Sequence, residues 1–231
     1  MYDPATLQRI AVSVASTLLL VTGCAPSANP AALLAQTKAR LDSAQTLHFE
    51  LTSTDVQGAG PLITGGSGDA RRPDSFSGRL SVKLSGFAVN VEVVSIGGSF
   101  YVKLPTDTEY ARTDPTAYGF GDPGLLLDPR QGLSSLLLLC HSSTLGDDDR
   151  YNGELLQEVK CTLPGRPVAS LLTSADAGQD VAATFGIVSA SGQLRRVVLT
   201  GPFFSRSTRS TFTLVLDKYG ENVSITAPAG A

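Results

Sequence analysis

The sequence predicts an α+β protein made mainly of antiparallel β-sheet. Ser, Thr, Val, Leu and Gly are abundant, Trp is absent, and the only Met is Met1. This composition suits many short strands joined by tight turns. Apolar and polar residues alternate with period two in several segments, as in strands that bury one face, and a few other segments have helical spacing.

Length and charge restrict the classes of function. The 231 residues suit one domain preceded by a processed leader. The 18 basic and 21 acidic residues give a net charge of −3 and are spread along the chain. Because no basic stripe is available to neutralise a phosphate backbone, we expect no nucleic-acid partner.

The N-terminal segment has the pattern of an export signal. Arg9 precedes a mostly apolar run at 10–21, which is too short to span a membrane. Val21-Thr22-Gly23-Cys24 resembles a lipobox, in which the thiol carries diacylglycerol. We therefore predict a signal peptide at 1–23, a lipidated tether at 24–29 that begins with Cys24, and a domain at 30–231. The alternative is an ordinary secretory leader with an incidental cysteine.

The two remaining cysteines predict a disulfide. Once Cys24 is assigned to lipidation, Cys140 and Cys161 form an even pair in a compartment that permits oxidation. A metal site is the alternative interpretation, but two thiols and the neighbouring His141 supply too few ligands for a typical zinc site. We expect the disulfide and no metal.

The first part of the domain is predicted to be a helix followed by a four-stranded antiparallel meander. Asn29-Pro30 is a typical helix start, and helical spacing continues to Ala44. Alternation then predicts strands at 46–52, 76–85, 87–93 and 100–103, with a Gly- and Pro-rich loop at 57–74 and turns at Gly86 and Gly97-Gly98.

The second part combines short helices with further strands. Asp122-Pro123 and Asp128-Pro129 each pair a capping side chain with Pro at the first helical position, and a buried helix is predicted from Leu133 to Cys140. Beyond it we predict strands at 160–163, 181–187, 194–200, 211–217 and 223–226, and a short helix at 167–174.

Motifs for catalysis or cofactor binding are weak. Gly119 to Gly124 spells GxGxxG, but Pro123 removes an amide donor and no strand-helix-strand pattern surrounds it. The acidic run at 147–149 lacks EF-hand spacing, so we expect a solvated turn. The only histidines, His48 and His141, have no nucleophile motif beside them. We therefore expect neither an enzyme nor a cofactor.

Several short motifs resemble the mycobacterial LppX/LprG lipoproteins, and their order and spacing match along almost the whole mature chain. They are Gly97-Gly98-Ser99-Phe100-Tyr101, Asp122-Pro123, Leu127-Asp128-Pro129, Gly132-Leu133, Leu136-Leu137, Asn152-Gly153, and Leu216 to Glu221 with Val223, Ile225 and Pro228. The resemblance implies a half-barrel, in which helices cover the concave face of one strongly curved antiparallel sheet around a hydrophobic cavity. It also implies that an acylated lipid or glycolipid binds in that cavity and is carried across the periplasmic space toward the outer envelope.

The apolar faces of the predicted elements provide the walls of such a cavity. The expected lining residues are Leu80, Val82, Leu84, Val89, Val91, Val93, Phe100, Val102, Leu133, Leu136, Leu137, Phe185, Phe212 and Leu214. We expect the protein on the outer face of the cytoplasmic membrane, held by its lipid anchor, with a membrane transporter as a further partner. The alternative is a structural or signalling lipoprotein whose filled core leaves only its surface to act on protein partners.

Overall fold

The computed structural model of the protein describes residues 29–58, 62–84, 86–119 and 121–229. Within these residues, one antiparallel sheet of eleven strands is combined with three α-helices, so the α+β class is confirmed. The strands are β1 (Thr46–Thr54), β2 (Leu62–Arg71), β3 (Ser75–Leu84), β4 (Phe87–Ile96), β5 (Ser99–Lys103), β6 (Ala111–Thr113), β7 (His141–Tyr151), β8 (Glu154–Leu163), β9 (Val181–Val188), β10 (Leu194–Gly201) and β11 (Ser210–Asp217). The helices are α1 (Pro30–Ser43), α2 (Leu133–Leu136) and α3 (Gly165–Leu171).

The first and last strands of the domain pair with each other near the centre of the sheet. Its strand order is β6-β5-β4-β3-β2-β1-β11-β10-β9-β8-β7. The first strand therefore pairs with the last, with Phe49 opposite Leu216 and Leu51 opposite Leu214. The remaining neighbours are consecutive in sequence, which permits short hairpin connections.

Helix α1 begins where the sequence predicts. The Asn29 side chain accepts a hydrogen bond from the amide of Ala31, and Pro30 occupies the first helical position. Leu34 and Leu41 are buried against the inner face of the sheet, which is the face that the helices cover. The apolar core lies between this face and the helices.

Strand β2 lies where the sequence predicts a loop, so the meander from β1 to β5 has five strands rather than four. Its glycines lower strand propensity but are required by close packing. A Cβ atom at Gly68 would lie 2.5 Å from Cα of Gly78 and 3.0 Å from Cε1 of Phe49. Glycine therefore makes room for the Phe49 ring at this position, and the loop prediction for 57–74 was wrong across β2.

The hairpin of β7 and β8 is longer than predicted. Its turn at Asn152-Gly153 is confirmed, and both residues have positive φ, 47° and 83°. The sequence indicated only 160–163 as strand here, because β7 is mostly polar and exposed. The acidic run at 147–149 belongs to β7 and is not a turn.

Two predicted elements are shorter or absent. The helix expected from Leu133 to Cys140 consists of α2 and a 3₁₀ turn, Leu137–Leu139, in which Leu138 is 58% exposed. The segment at 223–226 forms no strand. Instead, Ile225 packs on the outer face of the sheet against Val94 and Tyr101.

The disulfide between Cys140 and Cys161 is present, with 5.5 Å between the two Cα atoms. It joins the end of the Leu137–Leu139 turn to β8. This confirms the predicted pairing and fixes the end of the α2 segment to the sheet.

Candidate functional site

A cavity of about 140 Å³ lies between the sheet and the elements that cover it. Its floor is built by inward side chains of β1, β2, β3, β10 and β11: Phe49, Leu51, Ile63, Phe76, Leu80, Val197, Leu199, Phe212 and Leu214. Its roof consists of the loop at 121–126 together with α2 and α3, and contributes Gly121, Asp122, Pro123, Leu126, Leu133, Leu136, Val168, Leu171 and Leu172.

The cavity walls are almost entirely hydrocarbon. Among the described lining residues, Asp122 is the one ionisable side chain, and its Oδ1 accepts hydrogen bonds from Ser95 Oγ at 2.5 Å and from the Gly124 amide at 2.8 Å. Apolar cavities of about 150 Å³ remain dry and take up a ligand the size of benzene. The walls can therefore bind a hydrocarbon group and offer little to a polar one.

The roof is held mainly by apolar contacts. Backbone hydrogen bonds tie its segments to each other, from Gly121 N to Leu171 O and from Leu133 N to Leu126 O, each 3.0 Å long. Within the described parts of the chain, the bond between Ser95 and Asp122 is the only side-chain hydrogen bond between roof and sheet. Apart from the Cys140–Cys161 disulfide beyond α2, few polar interactions therefore attach the roof to the sheet.

The structure brings five of the predicted lining residues to the cavity. Leu80, Leu133, Leu136, Phe212 and Leu214 line it. Seven others are buried in the surrounding core but lie outside these walls: Val82, Val91, Val93, Phe100, Val102, Leu137 and Phe185. Val89 is half-buried against the same core. The side chain of Leu84 and the proposed lipidation site Cys24 lie outside the described residues.

Sequence reasoning missed several cavity residues for two reasons. Phe49 and Leu51 belong to an alternation that predicted β1 correctly, but nothing in that pattern distinguishes a cavity wall from solid core. Ile63 lies in the glycine-rich strand β2, which was predicted as a loop. The floor from β10 and the roof from α3 depend on pairing between segments distant in the sequence.

Charged side chains on the outer face pair with each other. Tyr110 donates a 3.0 Å hydrogen bond to Glu92, and this bond lowers the pKa of Glu92. Burial alone would lower the pKa of Arg196, but its hydrogen bonds to Asp149 and Glu158 raise it. These groups stabilise the sheet surface rather than converge on a cleft.

The two histidines lie at opposite ends of the sheet. His48 is near the start of β1 and its Nδ1 is 2.7 Å from Asp69, whereas His141 begins β7. Within the described residues, no three His, Cys, Asp or Glu side chains are grouped as metal ligands.

Comparison with known proteins identifies the family. The profile of the LppX_LprAFG lipoprotein family matches residues 29–225. The chain belongs to this family. No curated protein sequence matches it significantly.

Two solved structures share the fold of this LppX_LprAFG lipoprotein. LprF from Mycobacterium bovis is 19% identical, with a TM-score of 0.72, and the match covers 89% of this chain and 99% of LprF. Lipoprotein LppX from Mycobacterium tuberculosis is also 19% identical, with a TM-score of 0.62 and coverage of 85% and 98%. None of the helices in the described part of the chain has the length and hydropathy needed to cross a bilayer.

Proposed function

We propose that this LppX_LprAFG lipoprotein is a non-enzymatic carrier that binds an acylated lipid or glycolipid in its cavity and moves it across the periplasmic space toward the outer envelope. The observation that carries the proposal is the cavity itself, because its walls present hydrocarbon from both the sheet and the roof. Membership of a lipoprotein family supports an envelope location.

The energetics explain why a carrier needs such walls. Each methylene moved out of water gains about 0.8 kcal/mol, so a 16-carbon tail favours an apolar environment by roughly 12 kcal/mol. A lipid leaves a bilayer at a useful rate only if its tail stays covered. Asp122 has its Oδ1 occupied by two hydrogen bonds, which leaves the remaining walls suited to a tail.

The closed cavity is smaller than a complete tail. A volume near 150 Å³ holds a six-carbon ring, so a 16-carbon chain requires a wider space than the 140 Å³ of this conformation. We propose that the sheet curves around the tail as a half-barrel while the roof moves outward. The few polar bonds between roof and sheet favour this motion.

A lipid anchor at Cys24 would hold the carrier at the membrane. Cys24 carries the lipid after removal of residues 1–23, residues 24–29 form the tether, and residues 30–231 form the binding domain on the outer face of the cytoplasmic membrane. A membrane transporter that supplies the lipid is the expected protein partner.

Two measurements test the proposal. Native mass spectrometry and lipid analysis of the protein from its own host should find an acylated lipid bound. Val197→Phe fills the cavity from β10, whereas Val198→Phe makes the same change at the next residue, on the outer face. We expect Val197→Phe to lose at least 10-fold in bound lipid and Val198→Phe to retain it.

An empty wild-type protein that takes up no added lipid would contradict the carrier role. So would equal lipid content in the two variants. Either outcome would favour the structural or signalling alternative, in which the protein acts through its surface.

A further inference from the structure

Two large apolar side chains are unusually exposed in the described part of the chain. Phe87, the first residue of β4, is 76% exposed, and Leu138 is 58% exposed. Single exposed apolar residues are common on protein surfaces. Their position relative to the rest of the fold is what makes these two informative.

Strand pairing places both residues at the same end of the sheet, which we call the rim: the end where β3 finishes at Leu84 and β7 starts at His141. Phe87 pairs with Leu84 there, and Leu138 is three residues before His141. The pairings that connect these two points across the sheet are Leu62↔Lys83, Thr52↔Gly65, Thr54↔Thr211, Gly201↔Ser210, Thr200↔Ala182, Leu163↔Val181 and His141↔Thr162.

Helix α1 runs from the rim side toward the opposite end. Its last turns contact the start of α2, because Lys38 and Asp42 both bond to the Ser134 hydroxyl. The helix also packs against the Leu137–Leu139 turn and against β7, whose first residue lies at the rim. After α1 the chain enters β1 at Thr46, at the far end of the sheet.

The start of α1 is therefore on the rim side, and it is uncharged. From Asn29 to Thr37 the helix carries no ionisable side chain, and Ala31, Ala32 and Ala35 are exposed. Only four residues separate Cys24 from Asn29, and the five Cα-to-Cα steps between them span at most about 18 Å. An anchor at Cys24 holds the rim close to the bilayer.

We propose that the rim docks on the outer leaflet of the anchoring membrane, with Phe87 and Leu138 inserted at the lipid–water interface. This inference rests on the anchor at Cys24 in the proposed function. Aromatic and aliphatic side chains are favoured at that depth. Ile63 and Phe212 bring the floor of the cavity near the rim, so a tail passes between bilayer and cavity without crossing water.

Because the chain contains no Trp, a single introduced Trp can serve as a fluorescent reporter of contact with the bilayer. Phe87→Trp places the reporter at the rim, and Tyr151→Trp places it at the β7–β8 turn, at the opposite end of the sheet. The lipidated full chain is reconstituted in phosphatidylcholine vesicles that contain bromine-labelled acyl chains. We expect quenching and a blue shift for the reporter at position 87 and neither change at position 151. Equal responses at both positions, or none at 87, would overturn the proposal.

A second measurement separates docking from lipid binding. Phe87→Ser and Leu138→Ser should slow lipid uptake from vesicles about 10-fold, whereas Leu155→Ser, at an exposed leucine beside the opposite end, should not. Lipid supplied in detergent should fill all three variants equally. Unchanged uptake from vesicles in both rim variants would refute the docking role. If no variant binds lipid from detergent, the proposed function fails while the quenching experiment still decides docking.

Discussion

The fully buried hydroxyl of Ser95 in β4 donates a 2.5 Å hydrogen bond to Asp122 in the roof of the cavity. Asp122 also caps the 3₁₀ turn Pro123–Leu125 by accepting from the Gly124 amide. One carboxylate thus shapes the roof loop and attaches it to the sheet.

Ser95→Ala should weaken that attachment. We expect the free energy of unfolding to fall by about 1.5–3 kcal/mol, since one hydrogen bond to a charged group is lost, and lipid uptake to become faster because the roof separates more readily. Urea denaturation and uptake kinetics measure the two effects. Ser189→Ala, an exposed serine in the β9–β10 turn, is the control and should change stability by less than about 0.5 kcal/mol. Slower uptake by Ser95→Ala would contradict this role for the bond.

The cavity should also be visible in stability measurements. Val159, Phe185 and Val197 are cross-strand neighbours on the inner face, but only Val197 lines the cavity. Val197→Phe places its ring in empty space, so we expect a change below about 1 kcal/mol. Val159→Phe forces the same ring into packed core and should cost about 1–3 kcal/mol. Equal destabilisation by the two changes would indicate that no usable space lies beside Val197.

Reduction of the Cys140–Cys161 disulfide should destabilise the domain. The bond closes a loop with a sequence separation of 21 residues, and the chain-entropy relation gives a loss of roughly 3 kcal/mol for a loop of this length. Denaturation with and without reductant measures the difference. Cys24→Ser in the same assay is the control, because it removes the third cysteine without opening the bridge. A reductant effect below about 1 kcal/mol would contradict the prediction.

Tyr219 should make stability sensitive to alkaline pH. Its hydroxyl donates a 2.5 Å hydrogen bond to the Leu194 carbonyl, and burial raises the pKa of Tyr219 above its ordinary value. Because the folded state favours the protonated phenol, its contribution is complete below about pH 10, the ordinary tyrosine value. It is lost as the pH rises from there through the higher folded pKa.

Tyr219→Phe tests this linkage. We expect a loss of about 1 kcal/mol at pH 7 from the missing hydrogen bond, together with a shallower decline of stability as the pH rises above about 10. Part of the decline should remain, because burial also raises the pKa of Tyr110. An alkaline slope identical to that of the wild-type protein would show that Tyr219 does not contribute.

The elements that could be predicted from the sequence are those in which the local residue pattern matches the packing in the fold. The helix α1, the strands β1, β3, β4, β5, β9, β10 and β11, and the disulfide all follow from capping, alternation and cysteine count. In each case the residues that define the element in sequence also define its buried face.

The misses occur where packing overrides local propensity. Strand β2 contains glycines because Phe49 and Gly78 approach its backbone closely. A glycine-rich segment predicts a loop when only the sequence is considered. Strand β7 is polar because one of its edges has no neighbouring strand in the described sheet. The cavity was inferred from a family resemblance alone, because alternation cannot reveal whether an apolar face meets protein or empty space.

The acidic residues of β7 affect how two copies of the protein meet. An open sheet exposes backbone donors and acceptors along its outermost strands, and these can join a second molecule into an extended ribbon. On β7, Asp147 and Asp148 are exposed and the register shifts twice along the pairing with β8. Carboxylates of two molecules aligned along this strand would repel each other, which opposes the edge-to-edge pairing from which fibres grow.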